Sequence, residues 1–279
     1  MSAEPLPPTL AIAARGSPGR RVGAMFMRHW FLLRGSWPRI LELIYWPTIQ
    51  MVLWGFITLH FQQHSDWVAQ AAGVLVSGVL LWDILFRGQL GFTISFLEEL
   101  YSRNLGQLFV TPIRPWELVI ALMGASLVRV GIGSFSAAIL ASFIFGYSIF
   151  DLGLPLAAFF INLMMFGWAV GIAVIAVLLR TGLGGESLAW LVIFLVAPVS
   201  AIYFPVEALP DWIEWLAWCL PPAYVFEGMR SVLFGHGFRW DWLAGATLLN
   251  LACMTAATAV FLWSFEVARR QGLLLRTGE

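Results

Sequence analysis

The chain has 279 residues but no lysine, and it carries few charges of any kind. All 16 of its basic residues are arginine, and only 11% of its residues are charged, against roughly 25% in soluble domains. A soluble fold with so few charges would leave large apolar patches in water, so an ordinary soluble protein is excluded. The absence of lysine excludes a P-loop nucleotide site, a Schiff base and a Ser-Lys dyad.

Other absences narrow the function further. The two cysteines, Cys219 and Cys253, lie in separate segments and form neither a CxxC pair nor a disulfide framework. The formal net charge is zero, which gives no footprint for a nucleic-acid partner. No HExxH and no Gly-x-Ser-x-Gly motif occurs, so the sequence predicts no metal site and no catalytic site.

One possible enzyme motif is incomplete. Glu98, Glu99 and Arg103 match EExxxR, which looks like the first motif of the intramembrane CAAX-type proteases. Those enzymes also need histidine-bearing motifs on later helices, whereas this chain has only His236 after Arg103, in a predicted outer loop. The sequence therefore does not support an intramembrane hydrolase.

The chain does contain long apolar stretches. It is 60% hydrophobic with a mean hydropathy of +0.82, and it contains 22 Phe and 15 Trp, a composition typical of membrane proteins with aromatic belts. A spanning helix needs about 20 mostly apolar residues. Six stretches meet that length, and they predict an all-α membrane protein with spans at about 40–61, 67–86, 116–147, 154–179, 188–204 and 242–265.

The distribution of arginine predicts the orientation. Thirteen of the 16 arginines fall in the N-terminal segment, the loops after the second and fourth spans, and the C-terminal segment, whereas only two fall in the loops of the opposite side. By the positive-inside rule, both termini are expected to be cytoplasmic. The even number of predicted spans agrees with this, because it places both termini on the same side of the membrane. Residues 1–21 lack the apolar core of a signal peptide and are expected to be a disordered tail before a permease domain at 22–279.

Three segments between the spans have helical patterns of their own. Residues 22–35 suit a helix at the cytoplasmic interface with its arginines toward anionic lipid, or an extension of the first span. Residues 96–109 predict a helix with Glu98, Glu99 and Arg103 exposed, which is either a docking element or a solvated connector. Residues 205–234 predict a helical hairpin at the outer interface, partly re-entrant and broken at Pro221-Pro222, with its tryptophans at headgroup depth.

Charged residues within the apolar regions are candidate functional groups. Arg129 lies near mid-membrane if the third span starts at Trp116, or at the cytoplasmic boundary if the span is 130–150. Asp83 and Arg87 have the i, i+4 spacing of a favourable pair, and Asp83 is also a possible partner for Arg129. Gln50 lies in the first span beside aromatic residues, where it either lines a polar path or bonds to a neighbouring helix.

Two stretches together resemble a known family. FLEELYSRNLGQLFVTPIRPWEL, residues 96–118, and YFPVEALPDWIEWLAWCLPPAYVFEGMR, residues 203–230, are similar to the membrane subunit of type-2 ABC exporters. That family includes export systems for polysaccharides, lipo-oligosaccharides and drugs. The placement of the two stretches relative to six spans and an interfacial N-terminal helix also fits, and the resemblance covers the chain from about residue 22.

The resemblance implies a division of labour between chains. A cytoplasmic ABC ATPase would bind ATP and Mg, so this chain would carry no cofactor, and two permease chains, identical or homologous, would pair with two ATPases in the lipid of a bacterial inner membrane. Segment 96–111 would couple to the ATPase, and the implied coupling residues are Phe96, Leu97, Glu98, Glu99, Tyr101, Arg103 and Asn104. The implied substrate path lies between the permeases, along the first, second and fifth spans, with the outer hairpin as its gate. Its implied residues are Tyr45, Trp46, Gln50, Trp54, Tyr203, Phe204, Pro205, Tyr224, Glu227 and Arg230.

The energy source leaves one alternative open. An ion-coupled secondary transporter would act without an ATPase, but such transporters usually carry broken helices and carboxylates at the membrane midplane, where this chain has few. The chain has no nucleotide site, so its energy is expected to come from a partner. The sequence does not tell whether the substrate is a lipid, a polysaccharide or a drug-like compound.

Overall fold

The computed structural model describes residues 17–62 and 66–273, and within these ranges it contains helices but no β-strand. The ten α-helices are α1 (Pro18–Arg34), α2 (Trp37–Gln62), α3 (Asp66–Tyr101), α4 (Leu105–Val110), α5 (Pro115–Phe145), α6 (Leu154–Thr181), α7 (Leu188–Val199), α8 (Asp211–Trp218), α9 (Pro221–Leu233) and α10 (Trp240–Arg270). Short 3-10 helices occur at Ile149–Leu152, Gly182–Gly185 and Val206–Ala208. Most of the predicted N-terminal tail lies outside the described residues, but α1 begins at Pro18, inside the range predicted as tail.

Five helices are long and apolar enough to cross a membrane, which makes the chain a multi-pass membrane protein. They are α2, α3, α5, α6 and α10, and they correspond to five of the six predicted spans. Helix α3 is the central one, because 83% of its most apolar window is buried against other helices, compared with 17% for α2. Helix α3 also continues for fifteen residues past Phe86, where the second span was predicted to end.

The predicted fifth span, 188–204, is wrong in its extent. Helix α7 ends at Val199 and has 12 residues, which corresponds to about 18 Å and is shorter than a full crossing. Pro198 lies in its last turn, and Ala201 adopts a left-handed conformation with φ of 52°. A non-glycine residue with this φ cannot continue a right-handed helix, so the chain leaves the helix before Phe204.

Close contacts fix the directions of α2, α3 and α5. Near the start of α2, the carbonyl oxygen of Leu43 lies against Gly133 of α5. Further along, Gly55 of α2 lies against the ring of Phe145 of α5, so the two helices run parallel. Along α3 the order is reversed, because Arg87 lies beside Gly133 while Ser77 hydrogen-bonds to Tyr147 beyond the end of α5. Helix α3 is therefore antiparallel to both α2 and α5.

Helices α6 and α10 run in the same direction as α3. A Cβ at Gly167 would lie 3.1 Å from the backbone of Leu85 and Gln89, and one at Gly171 would lie 2.7 Å from the ring of Phe92. The Gly167–Gly171 motif thus brings α6 close to α3. Helix α10 follows α6, since Asn250 donates to the side-chain oxygen of Asn162 at 2.9 Å near one end and Trp263 lies under Arg180 near the other.

These directions determine where the chain must return from one end of the bundle to the other. We call the end of the bundle that holds Tyr101 the inner end and the opposite end the outer end. Helix α1 starts at the inner end, where Arg21 pairs with Glu117, and α10 finishes there, where Phe265 packs on Phe109. Helix α6 also finishes at the inner end, whereas α10 starts at the outer end. Helix α7 makes the return, running antiparallel to α3 from Ala189, which accepts a hydrogen bond from Gln89, to the Ile202 carbonyl beside Gly78.

Helix α1 packs lengthwise against the first half of α5. Arg21 pairs with Glu117 near the start of both helices, and Phe26 fills the space beside Gly124 one turn or two further along. The break between α1 and α2 occurs at Gly35 and Ser36, as the sequence indicated, but α2 then continues in the same direction along the second half of α5. Helix α1 thus follows the bundle instead of branching away from it.

The outer segment is only partly a surface hairpin. The break at Pro221-Pro222 is confirmed, since α8 ends at Trp218 and α9 starts at Pro221. Helix α8 exposes Trp212 and Trp215, whereas α9 is largely buried against α6 and α10. Helix α9 thus packs into the bundle, while the position of the hairpin at the outer membrane interface stays a prediction.

Candidate coupling end and outer clamp

The inner end of α3 turns sharply into α4. The chain reverses through Ser102, Arg103 and Asn104, and Arg103 has a φ of 54°. The Asn104 amide donates to the Glu99 carbonyl at 3.0 Å, which closes the turn, and Phe109 of α4 packs on Phe265 of α10 at 4.7 Å between ring centroids. Tyr101 and Arg103 are exposed at the tip, and Asn104 is half-buried.

The coupling residues implied for the segment before this turn are not on the surface. Phe96, Leu97 and Glu99 belong to α3 and are buried, and Glu98 is half-buried. The prediction that Glu98 and Glu99 are exposed is therefore wrong. The reason is that α3 runs through this segment without a break, so its polar side faces α1, α2 and α5 and not solvent.

Glu98 joins three helices. Its Oε1 atom lies 3.2 Å from Nη1 of Arg39 on α2 and 3.1 Å from Nη2 of Arg129 on α5. Arg129 is 7% exposed, and a buried arginine needs a carboxylate or a polar cavity. Asp83, which the sequence suggested as a partner for Arg129, is therefore not its partner.

Two further ion pairs attach α1 to the same end. Nη2 of Arg28 lies 2.9 Å from Oε2 of Glu99, and Nη2 of Arg21 lies 2.6 Å from Oε1 of Glu117. The prediction that the arginines of α1 face lipid is therefore wrong for these two. Arg20 and Arg34 are on the exposed side of α1.

His29 is buried in the middle of these charges. Its Nε2 atom lies 3.9 Å from Oε1 of Glu99, and Arg28, Glu98 and Arg129 also act on it. Burial is the largest effect and lowers the pKa of His29 to about 4, although Glu98 opposes the shift. His29 is thus neutral at physiological pH, in contrast to the arginines around it.

Within the bundle, the predicted pair of Asp83 and Arg87 is confirmed. Nε of Arg87 donates to Oδ1 of Asp83 at 2.7 Å, and the Ser134 hydroxyl of α5 donates to Oδ2 at 2.8 Å. Both charged residues are buried, and the side chain of Arg87 lies 3.0 Å from where a Cβ at Gly133 would be. The pair therefore ties α3 to α5 in the interior.

The implied path residues of α2 divide into two groups. Tyr45 and Trp46 are exposed on the outward side of α2, and Gln50 is half-buried. Trp54 instead faces the bundle and stacks on Tyr203, with ring centroids 4.7 Å apart and an interplanar angle of 16°. This stack joins α2 to the linker that follows α7.

The same linker is fixed by a clamp from α9. Glu227 accepts a hydrogen bond from the Val206 amide at 2.7 Å and pairs with Arg230 at 2.8 Å. Arg230 in turn donates to the carbonyl oxygens of Ala201 at 2.9 Å and Ile202 at 3.4 Å. We call Glu227 and Arg230 the outer clamp, because they hold the linker in place on both sides of Tyr203.

The remaining implied gate residues are less connected. Phe204 and Pro205 are exposed on the linker, and Tyr224 packs against Trp218 and Gly245. The structure therefore brings together Trp54, Tyr203, Glu227 and Arg230, but not the exposed residues of α2. Among the described residues, no three His, Cys, Asp or Glu side chains are placed to hold a metal ion.

The sequence reasoning missed Arg28, Arg39 and Glu117 as partners in the inner ion pairs. Only the charge of these residues pointed to ion pairs in the sequence. The partners could not be identified, because the arginines also fit a lipid-facing role and each is far in sequence from its glutamate. The glycine at position 133 likewise did not indicate a close contact, because the sequence does not show which groups lie beside it.

A comparison with protein families decides what this architecture is. The family model of the ABC-2 type transporter matches residues 21–234, a range that includes most of α1, the α3–α4 turn and the outer clamp. The chain belongs to the ABC-2 type transporter family. No curated protein matches the chain. Membership of the ABC-2 family confirms the resemblance seen in the sequence and makes the chain a membrane transport component.

Proposed function

We propose that the chain is the permease subunit of an ABC exporter in a bacterial inner membrane, with both termini cytoplasmic. It moves a lipid, a polysaccharide or a drug-like compound outward, and a separate ATPase subunit binds ATP and Mg and supplies the energy. Two permease chains pair around the path. The ABC-2 family membership supports this proposal, since such permeases associate with an ATP-binding subunit.

The exposed tip of the α3–α4 turn is the proposed contact with the ATPase. Tyr101 and Arg103 are exposed there, while Glu98 and Glu99 behind them bind Arg39, Arg129 and Arg28. A force on the tip therefore reaches α1, α2 and α5 through ion pairs. In this proposal Phe96, Leu97, Glu98 and Glu99 transmit motion, and Tyr101, Arg103 and Asn104 make or shape the contact.

Co-purification tests the proposal. The chain is expressed with an affinity tag in its native host, and the ABC ATPase retained on the tagged chain is measured. Arg103→Glu is expected to reduce retention at least tenfold, because a charge reversal at an exposed contact repels the partner. Arg270→Glu is the matched control, since Arg270 is an exposed arginine at the same end whose partner is Glu266.

Two outcomes would contradict the proposal. One is equal retention of the ATPase by the wild type and the Arg103→Glu chain. The other is ion-driven uptake by the purified chain alone in liposomes, which is what the ion-coupled alternative requires. The family membership gives no support to that alternative.

A further inference from the structure

Arg180 lies in the last turn of α6, and its guanidinium group stacks on a tryptophan of α10. The Cζ atom of Arg180 lies 4.0 Å from the centroid of the Trp263 ring. Both side chains are exposed. Among the residues that the structure describes, the guanidinium group of Arg180 forms neither an ion pair nor a hydrogen bond. Stacking occupies only the face of the guanidinium plane, so the N–H groups in that plane stay free to donate.

Two tryptophans of α10 indicate the depth of this stack in the membrane. Trp240 and Trp263 are each more than half exposed and lie 23 residues apart on one helix, which corresponds to about 35 Å. The hydrocarbon core of a bilayer is about 30 Å thick, so the two rings fit at its two interfaces, where tryptophan is enriched. The guanidinium group on Trp263 is therefore at the depth of the lipid headgroups at the inner end.

The surface on the membrane side of the stack is apolar. Val177 precedes Arg180 by one turn of α6, Val260 precedes Trp263 by one turn of α10, and both valines are exposed. Because α6 and α10 both run toward the inner end, these valines lie closer to the middle of the membrane than the stack does. Acyl chains therefore contact this face next to the guanidinium group, and a phosphate that reaches Arg180 from this side belongs to a lipid.

The charges at the end of α10 favour a headgroup that is itself anionic. Arg270 follows Trp263 by two turns and so lies on the same face of the helix. Arg269 and Arg270 share a single carboxylate, that of Glu266, at 2.8 Å each. The inner ends of α6 and α10 thus carry three arginines and one glutamate. An anionic headgroup is attracted to this excess of positive charge, whereas the ammonium group of a zwitterionic lipid is repelled by it.

We propose that Arg180 and Trp263 form a binding site for one anionic phospholipid at the inner end of the bundle. The free N–H groups of Arg180 donate to the lipid phosphate, in the bidentate geometry that arginine favours. Trp263 holds the guanidinium group at headgroup depth, and the acyl chains lie along Val177 and Val260. The site needs neither an ATPase nor a second permease chain, so it does not rest on the proposed function.

Native mass spectrometry of the purified chain in detergent measures this binding. The delipidated chain is titrated with phosphatidylglycerol, or with phosphatidylcholine that carries the same acyl chains, and the dissociation constant of the first bound lipid is determined. The wild type is expected to bind phosphatidylglycerol more tightly than phosphatidylcholine. Arg180→Gln is expected to weaken the binding of phosphatidylglycerol by about fivefold, which is the usual effect of one arginine beside an anionic lipid.

Two further comparisons separate the site from a general effect of charge. Arg103→Gln removes an equal charge from an exposed position at the same end of the bundle and should leave the affinity for phosphatidylglycerol unchanged. Trp263→Leu removes the stack and is expected to weaken the binding by about threefold. Trp263→Phe keeps an aromatic ring under the guanidinium group and should match the wild type.

Several results would overturn the site. They are equal affinities of the wild type for the two lipids, equal affinities of the wild type and Arg180→Gln for phosphatidylglycerol, and an effect of Arg103→Gln as large as that of Arg180→Gln. Glycerol 3-phosphate in molar excess should not displace the lipid, and its displacement would show that the ligand is a soluble phosphate. If Trp263→Leu does not fold, the comparison of Arg180→Gln with Arg103→Gln still decides the proposal.

Discussion

Arg129 of α5 and Glu98 of α3 form an ion pair of 3.1 Å at the inner end of the bundle. Arg39 of α2 shares the same carboxylate oxygen at 3.2 Å. A single glutamate therefore balances two arginines from two helices, and the Arg129–Glu98 contact is largely removed from water, whereas Arg39 is more exposed. Its loss should have a larger effect than the loss of an exposed ion pair.

We expect Glu98→Gln to destabilise the protein by about 2–3 kcal/mol, because it leaves the buried Arg129 without a carboxylate. Thermal unfolding in detergent micelles measures the effect. The control is Arg270→Gln, which breaks an exposed pair with Glu266 and should cost at most about 1 kcal/mol. Equal losses in the two variants would show that the pair at Glu98 behaves as a surface contact.

The close approach of α6 to α3 predicts a contrast between two glycines. Gly167→Ala is expected to cost about 1–3 kcal/mol, because its Cβ meets the backbone of α3, which cannot move aside easily. Gly131→Ala adds a methyl group with nothing within 4 Å and should be neutral or stabilise α5 by up to about 1 kcal/mol. Unfolding midpoints of the two variants under one condition check the prediction, and a loss at Gly131 equal to that at Gly167 would argue against it.

His29 predicts a dependence of stability on pH. Burial lowers its pKa from 6.5 to about 4, so the unfolded chain binds a proton more readily than the folded one. The stabilisation from the neutral imidazole is complete above pH 6.5 and is expected to be lost as the pH falls toward 4. His29→Gln should flatten the fall of the melting temperature across this range, whereas His236→Gln, at an exposed position, should leave it as in the wild type.

The outer clamp predicts local protection of the linker after α7. Arg230→Met removes the hydrogen bonds to the carbonyls of Ala201 and Ile202 and should accelerate amide hydrogen exchange across 200–206 at least tenfold. Arg239→Met is the control, since Arg239 pairs with Asp241 on the exposed surface. Unchanged exchange across 200–206 in Arg230→Met would show that the clamp does not hold the linker.

The sequence predicted most of the long helices and several local features. Apolar length located five spanning helices, the i, i+4 spacing identified the pair of Asp83 and Arg87, and Pro221-Pro222 marked the break between α8 and α9. These features depend on neighbouring residues, and local geometry governs them.

The features that the sequence did not reveal depend on distant partners. Glu98 and Glu99 have the pattern of an exposed helix face, and only the positions of Arg28, Arg39 and Arg129 show that this face is covered. The end of α7 follows from the left-handed conformation of Ala201, and the presence of an alanine in the sequence does not predict this conformation. The direction of α1 depends on Glu117, since the same amphipathic pattern also fits a helix in the headgroup region.

The unbroken course of α3 constrains how this chain can vary. Asp83 faces Arg87 and Ser134 near the middle of the helix, while Glu98 and Glu99 face other partners four turns later. Removing one residue between these points would rotate the glutamates by about 100° relative to Asp83. Insertions and deletions should therefore be far rarer in 83–99 than substitutions, even where the individual side chains are interchangeable.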